Sequence, residues 1–360
     1  MPLTIDSTNS VYFGLGFGLA PNFVNPDTLT IASDGFVGGG LGGIYCDSPL
    51  GSSGYNIFVN GYVLGNGSTA VGIQAATSGA GVTNITVGST GVIQVRGGGA
   101  NSMAINGVES LNNSGTITND GGDAVRLDPV STTTIINSGT ISAGASGRAI
   151  LASSLFDGTD TVTNSGLING IVSLGGLVDT VTNTGNGRIT KSVLLGAGAD
   201  QYTGSAGSFV DTVFGDAGND TLRGGGGNDI LNGGLDGDTI FGGLGNDTLT
   251  GGLGNDFFVF NTTLNATTNK DNIVDYNVAA DTIRLENTGI FSALGAAIGT
   301  LSAAKFFVGT AAHDADDRII YNKAVGDIYY DGNGNAAGGL IKFAHVTPNL
   351  ALTNADFFVI

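Results

Sequence analysis

The sequence predicts an all-β protein: a parallel β-solenoid continuing into a glycine-rich β-roll, closed by a C-terminal antiparallel β unit. Three observations carry this. Asp211, Asp220, Asp229, Asp238, Asp247 and Asp256 fall nine residues apart, and two positions after each comes an apolar residue (Val213, Leu222, Leu231, Ile240, Leu249, Phe258). Upstream, a small-residue turn leading into Val, Ile or Thr recurs at Gly35, Gly61, Gly91, Gly115, Gly139 and Gly166, and the turn returns at Gly185. That spacing with that turn chemistry is how short strands stack into coils. Glycine makes up 64 of 360 residues with no collagen-like period, and only 6 residues are proline, which suits strands joined by tight turns.

The remaining composition narrows the chemistry. Apolar residues are 41% and charged residues 12%, enough apolar content for a buried interior. The net charge is -18, so nucleic acid and anionic membrane surfaces are poor partners and cations are good ones. Cys46 is the only cysteine and can form no intrachain disulfide. The first basic residue is Arg96, so the start lacks the basic region of a secretory signal peptide. No apolar run has the length of a membrane helix, and membrane insertion is not expected.

In chain order, residues 1–30 form an apolar segment containing "SVYFGLGFGLAPNF". It is expected either to pair with a neighbouring subunit, as an exposed strand edge invites, or to fold back over its own first coil. Residues 31–195 form the solenoid, with a second recurring element at Ala70-Val71, Ala104-Ile105, Ala124-Val125 and Ala149-Ile150. "DTVTN" at Asp160 and again at Asp179, then Asp200, show the coil shortening toward 18 residues, as in one continuous rod. Residues 196–260 form the roll. Residues 261–360 read as strands between turns: "AAKFFVG", "DDRIIYN", "GDIYYDGNG" and "LIKFAHV".

The roll carries the candidate site. Positions 1 to 6 of each nine-residue phrase are expected to form a turn, with left-handed glycines and with Asn219, Asn228, Asn246 and Asn255 tolerating similar geometry. Positions 7 to 9 form a short strand. Two phrases make a coil, so Asp211, Asp229 and Asp247 stack on one side, and Asp220, Asp238 and Asp256 on the other. Stacked strands lie about 4.8 Å apart, and carboxylates at that spacing repel without a cation. An all-oxygen set of carboxylates and carbonyls suits calcium; zinc would want His or Cys. Expected carbonyl donors are Gly215, Ala217, Gly218, Gly224, Gly225, Gly226, Gly227, Gly233, Gly234, Leu235, Asp236, Gly242, Gly243, Leu244 and Gly245. Asp200 is a further candidate, and Asp271, Asp275 and Asp281 either hold one more ion or are solvated. Asp216 and Asp236 replace glycines, and the phrase before Asp211 carries two extra residues, so the first site is expected to be distorted.

The phrase G-G-x-G-x-D-x-U-x resembles the calcium-binding nonapeptide of repeats-in-toxin (RTX) proteins. The "NSGTI" phrases at Asn113 and Asn137 are similar to autotransporter-passenger solenoids, which implies architecture only. "DRIIYN", "GDIYYD" and the ending "DFFVI" resemble the closing unit of serralysin-type proteins. That resemblance implies an uncleaved signal for type I export, with the secretion machinery as a partner. The structural alternative is that Phe357, Phe358 and Ile360 close the core.

The catalytic part of the serralysin resemblance does not carry over. H-E-x-x-H and G-x-S-x-G are absent; His313 and His345, the only histidines, are expected to be exposed or packed. "DGNGN" at Asp331 has Lys342 where a calcium loop needs Glu, so a hairpin turn is expected. A polysaccharide-cleaving solenoid would need basic residues, and the solenoid has only Arg96, Arg126, Arg148, Arg188 and Lys191. The expected function is a secreted, non-enzymatic, calcium-binding structural protein that assembles with itself into a surface layer, filament or matrix. The alternatives are an adhesin, with cell-surface polysaccharide as a possible ligand, and a polysaccharide lyase or epimerase.

Overall fold

The computed structural model describes residues 3–5, 11–13, 27–39, 42–45, 55–67, 69–74, 83–97, 99–127, 132–152 and 158–360. Cys46 and most of the N-terminal apolar segment lie outside them. Chain contacts divide the molecule into two compact units, residues 1–197 and 198–360.

In the first unit each coil gives one strand to each of three parallel sheets. One coil reads Ser110–Asn113, Thr116–Asn119 and Asp123–Leu127; the next begins at Thr134–Asn137. Inward residues stack in register: Leu111 on Ile135 on Val162 on Val181, and Ile93 on Ile117 on Ile141 on Ile168. All are at most 1% exposed, so each contributes on the order of 1.5–3 kcal/mol of burial. Ala70, Ala104, Ala124 and Ala149 are fully buried beside them. The turn glycines stack too closely for any side chain: a methyl on Gly139 would lie 2.1 Å from the Gly115 carbonyl oxygen. Leu3–Ile5 pairs with Asp27–Ile31, and Val11–Phe13 with Phe36–Gly39, both in parallel. The expectation for residues 14–26 lies outside the described residues.

A buried asparagine ladder runs beside this core. Asn113 Nδ2 donates to Asn137 Oδ1 at 2.7 Å, Asn137 to Asn164 at 2.7 Å, and Asn164 to Asn183 at 2.9 Å. The amide suits the place because it donates to one neighbour while accepting from the other.

In the second unit the roll has two strands per coil. Thr221–Gly226 pairs in parallel with Thr239–Leu244, and Ile230–Leu235 with Thr248–Leu253. Leu222, Ile240 and Phe258 stack inward on one side, and Val213, Leu231, Leu249 and Ile273 on the other. The strands are six residues long rather than three, a correction to the sequence reading. Pairing continues past the apolar position through the first three residues of the next phrase. The glycine at position 2 makes this possible by taking φ > 0, as at Gly225 (93°) and Gly243 (103°).

Past the roll, Thr282–Leu285 lies parallel to Phe257–Phe260, and Phe357–Val359 lies parallel to Thr282–Leu285. Ile319–Asn322, Asp327–Asp331 and Leu340–His345 form the antiparallel closing unit. The "DGNGN" segment begins the loop between the last two strands, a long hairpin connection. Phe260, Phe343, Phe291 and Tyr330 form a chain of edge-on rings at 4.9 to 5.2 Å. In "DFFVI" the inward residues are Phe357 and Val359; Phe358 is exposed, because a strand turns alternate residues to opposite faces.

Candidate metal centre

Each repeat aspartate sits at the end of a short turn and points into the roll. Asp220, Asp229, Asp238, Asp247 and Asp256 are at most 1% exposed; Asp211 is also buried. Aspartates 18 residues apart stack in two columns, with a backbone link between members that the sequence reading did not contain. Successive aspartates of a column are joined through the backbone: Asp211 N–H donates to Asp229 Oδ1 at 2.8 Å, and Asp229 N–H to Asp247 Oδ1 at 2.8 Å. On the other side Asp220 N–H donates to Asp238 Oδ1 at 2.8 Å, and Asp238 N–H to Asp256 Oδ1 at 2.9 Å. This link positions each carboxylate and uses one oxygen.

The second oxygen is the informative one. Oδ2 of Asp220, Asp229, Asp238, Asp247 and Asp256 is buried and has no hydrogen-bond partner. An ionised oxygen left that way is costly, and native structures resolve it with a proton or a cation. Each faces a small space against the first glycine of its own phrase. A methyl on Gly215 would lie 2.1 Å from Asp220 Oδ2 and 2.5 Å from the Gly233 carbonyl oxygen. On Gly224 it would meet Asp229 Oδ2 and the Gly242 carbonyl, and on Gly233 Asp238 Oδ2 and the Gly251 carbonyl. Carboxylate and carbonyl oxygens converge where only glycine leaves room, and that donor set fits calcium.

The electrostatics agree. Burial, with the neighbouring carboxylates adding to it, pushes Asp220 and Asp229 up to about 7 and Asp238 up to about 8. Burial pushes Asp211 to about 6, and raises Asp247 and Asp256 as well. Between residues 196 and 260 only Arg223 is basic, against nine acidic residues. Its guanidinium lies over the Phe241 ring at 4.4 Å.

The flanking candidates fall into different places. Asp200 N–H donates to Asp220 Oδ1, extending that column upstream. Asp271 extends the other: its Oδ1 accepts from Asp247 N–H, and a methyl on Gly242 would meet Oδ2 of both residues. Asp281 accepts from Asp256 N–H with one oxygen and from Asn277 N–H with the other. Asp275 binds the N–H groups of Gly251 and Gly252. Both its oxygens and both of Asp281's are therefore engaged by backbone donors at the end of the roll.

Among the expected carbonyl donors, Gly224, Gly233 and Gly242 face carboxylate oxygens of the array. Ala217, Leu235 and Leu244 accept N–H groups of Gly198, Gly218 and Gly227, and Gly243 accepts the Thr262 hydroxyl. Gly218, Gly227 and Gly245 are left-handed position-4 residues, and Gly225 and Gly234 are left-handed at position 2. Gly226 N–H bonds the Ser205 carbonyl. Asp216 and Asp236 take the same left-handed geometry, with φ of 73° and 72°. The asparagines at position 5 do not, which corrects the sequence reading. They bridge coils instead: Asn219 Oδ1 accepts Gly237 N–H, and Asn228 Oδ1 accepts Asn246 N–H.

One feature escaped the sequence reading although its signal was in view. Asp160 N–H donates to Asp179 Oδ1 at 2.7 Å, and Thr133 N–H to Asp160 Oδ1 at 3.0 Å. The repeated "DTVTN" phrases of the first unit thus carry the same backbone-to-carboxylate link as the roll. Of the solenoid's basic residues, Arg126 is ion-paired with Asp123 Oδ2, and Asp123 Oδ1 accepts the backbone N–H of Arg148.

A family profile described as the RTX calcium-binding nonapeptide repeat, in four copies, matches residues 205–240 and 232–261. No curated protein matches the chain. Such repeats bind calcium and are typical of secreted proteins. Among the described residues no helix is long and apolar enough to cross a membrane.

Proposed function

We propose, with residues 205–261 as an RTX calcium-binding β-roll, that this protein is a secreted structural subunit which folds on calcium outside the cell and assembles with copies of itself. The observation that carries the reading is the row of buried Oδ2 atoms without partners. The proposed ligands are Asp211, Asp220, Asp229, Asp238, Asp247 and Asp256, with Asp271 closing one column. Calcium is scarce inside cells and plentiful outside, so metal-coupled folding separates export from structure. The parallel ladders of the first unit support a role in which regular strands themselves are the product. Electron microscopy of purified protein with and without calcium tests this: ordered polymers are expected with calcium alone, and persistent monomers would overturn it. Deleting residues 1–20 should leave calcium uptake intact and abolish polymers if that segment is the contact.

A groove on the roll favours a second reading, an adhesin. It encloses about 550 Å³ and is lined by Phe214, Asn232, Thr250, Leu235, Leu253 and the carboxylates of Asp216 and Asp275, among others. An aromatic ring beside amide, hydroxyl and carboxylate groups suits a sugar. Retention of the protein on a polysaccharide matrix, lost in Phe214→Ala, would favour this reading.

A further inference from the structure

The closing unit holds a second kind of metal-ligating cluster, apart from the carboxylate columns. In the loop that follows strand Phe306–Val308, His313, Asp314 and Asp317 bring one ligand atom each to within 4.8 Å of one another. The loop is set before any ion arrives. Asp317, buried, accepts the N–H groups of His313 at 2.6 Å and Asp314 at 3.0 Å on Oδ2. Asp314 Oδ1 accepts the N–H groups of Asp316 and Asp317.

The imidazole is what makes this more than a solvated acidic loop. Its ring stacks on Phe307, with centroids 5.3 Å apart and planes at 20°. That contact fixes the ring plane and leaves Nδ1 3.6 Å from Asp314 Oδ2. The loop is braced from behind: Arg318 donates to the Ala315 carbonyl at 2.7 Å, and Gly334 packs against that same carbonyl. His313 and Asp314 are exposed, so an ion can enter from solvent and keep water in its remaining positions.

We propose that His313, Asp314 and Asp317 form a binding site for a divalent ion of the zinc class. One imidazole nitrogen and two carboxylates are a borderline donor set that suits zinc, whereas calcium prefers oxygen alone. The site therefore selects a different ion from the roll and can fill while the roll is calcium-loaded. The open coordination positions are available to water or to a donor from outside the chain.

The test is zinc titration of the full-length, calcium-saturated protein, followed by calorimetry, with bound calcium counted in parallel. The wild type should take up one zinc ion that His313→Ala and Asp314→Asn each weaken by about tenfold or more, as loss of a ligand does. Calcium content should stay constant in both variants. His345→Ala is the control: His345 is engaged by Asp327 on another strand and should leave zinc uptake unchanged. Zinc uptake equal in wild type and His313→Ala, or lost in His345→Ala, overturns the site. So does a wild type that takes up no zinc.

Discussion

At the residue scale the carboxylates of the roll are two-sided groups, one oxygen tied to the backbone and one left for an ion. Asp229 lies inside its column, between Asp211 and Asp247, while Asp211 lies at the irregular end. Asp229→Ala should therefore lower calcium stoichiometry by about two ions, as the ligand of two neighbouring sites, and Asp211→Ala by about one. A calcium titration reads both; equal losses would contradict the column arrangement. Protons compete for the same oxygens. The folded carboxyls of Asp211, Asp220, Asp229 and Asp238 lie at about 6 to 8, above the unfolded value of 3.8. Groups raised on folding stabilise the native state fully below the unfolded value and lose that contribution as pH rises through the folded one. The calcium-free roll should thus gain β structure as pH falls from 8 toward 4, and calcium affinity should weaken over the same interval. Circular dichroism in chelator across that range measures the first, and calcium titration the second.

At the scale of the element, the turn is where sequence and structure part. The nine-residue period gave the coil length, the inward apolar positions and the repeat aspartates, because one carboxylate at a fixed place in each phrase leaves little freedom of register. The strand length did not follow from it. Positions 1 to 3, opening on glycine, look like turn residues, yet they continue the ladder, and only the φ values at positions 2 and 4 distinguish a bent strand from a loop. The asparagine ladder was hidden for a similar reason. Asn in "NSG" reads as a turn residue, and only stacking puts it inside. Position 1 is the glycine that borders the carboxylate oxygens. A methyl on Gly233 would lie 2.0 Å from Asp238 Oδ2 and 2.7 Å from the Gly251 carbonyl, inside the cradle itself. Gly233→Ala should remove a calcium ion and lower stability by about 1–3 kcal/mol, the scale of overpacking a tight site. Gly207, whose nearest neighbours for a methyl lie at 3.3 Å or more, is the tolerant comparison. Denaturation in saturating calcium separates the two.

At the scale of the whole molecule the two units differ in what holds them. The first buries stacked Ile, Val and Leu with an amide ladder and a short Asp160–Asp179 link; the second adds to its apolar stacks two full columns of buried carboxylates. Strong chelator should therefore abolish the β signal of residues 198–260 and spare that of the first unit, so circular dichroism should fall in part and recover on calcium addition. Full β content in chelator would contradict the metal dependence of the roll. The end of the chain adds a different kind of consequence. Tyr276, buried, donates its hydroxyl to the Asp281 carbonyl at 3.0 Å and reaches Asp356 at 3.3 Å, 80 positions away in sequence. Successive coils meet across only 18 residues, a short and fast closure, whereas this contact requires a long loop to close first. If that slow closure comes first, the last strand, Phe357–Val359, presents a platform on which coils add one after another, as in a one-dimensional array. A chain lacking residues 353–360 should bind calcium at equilibrium with a modest loss but acquire its β signal far more slowly after rapid mixing; an unchanged rate would place the nucleus within the coils.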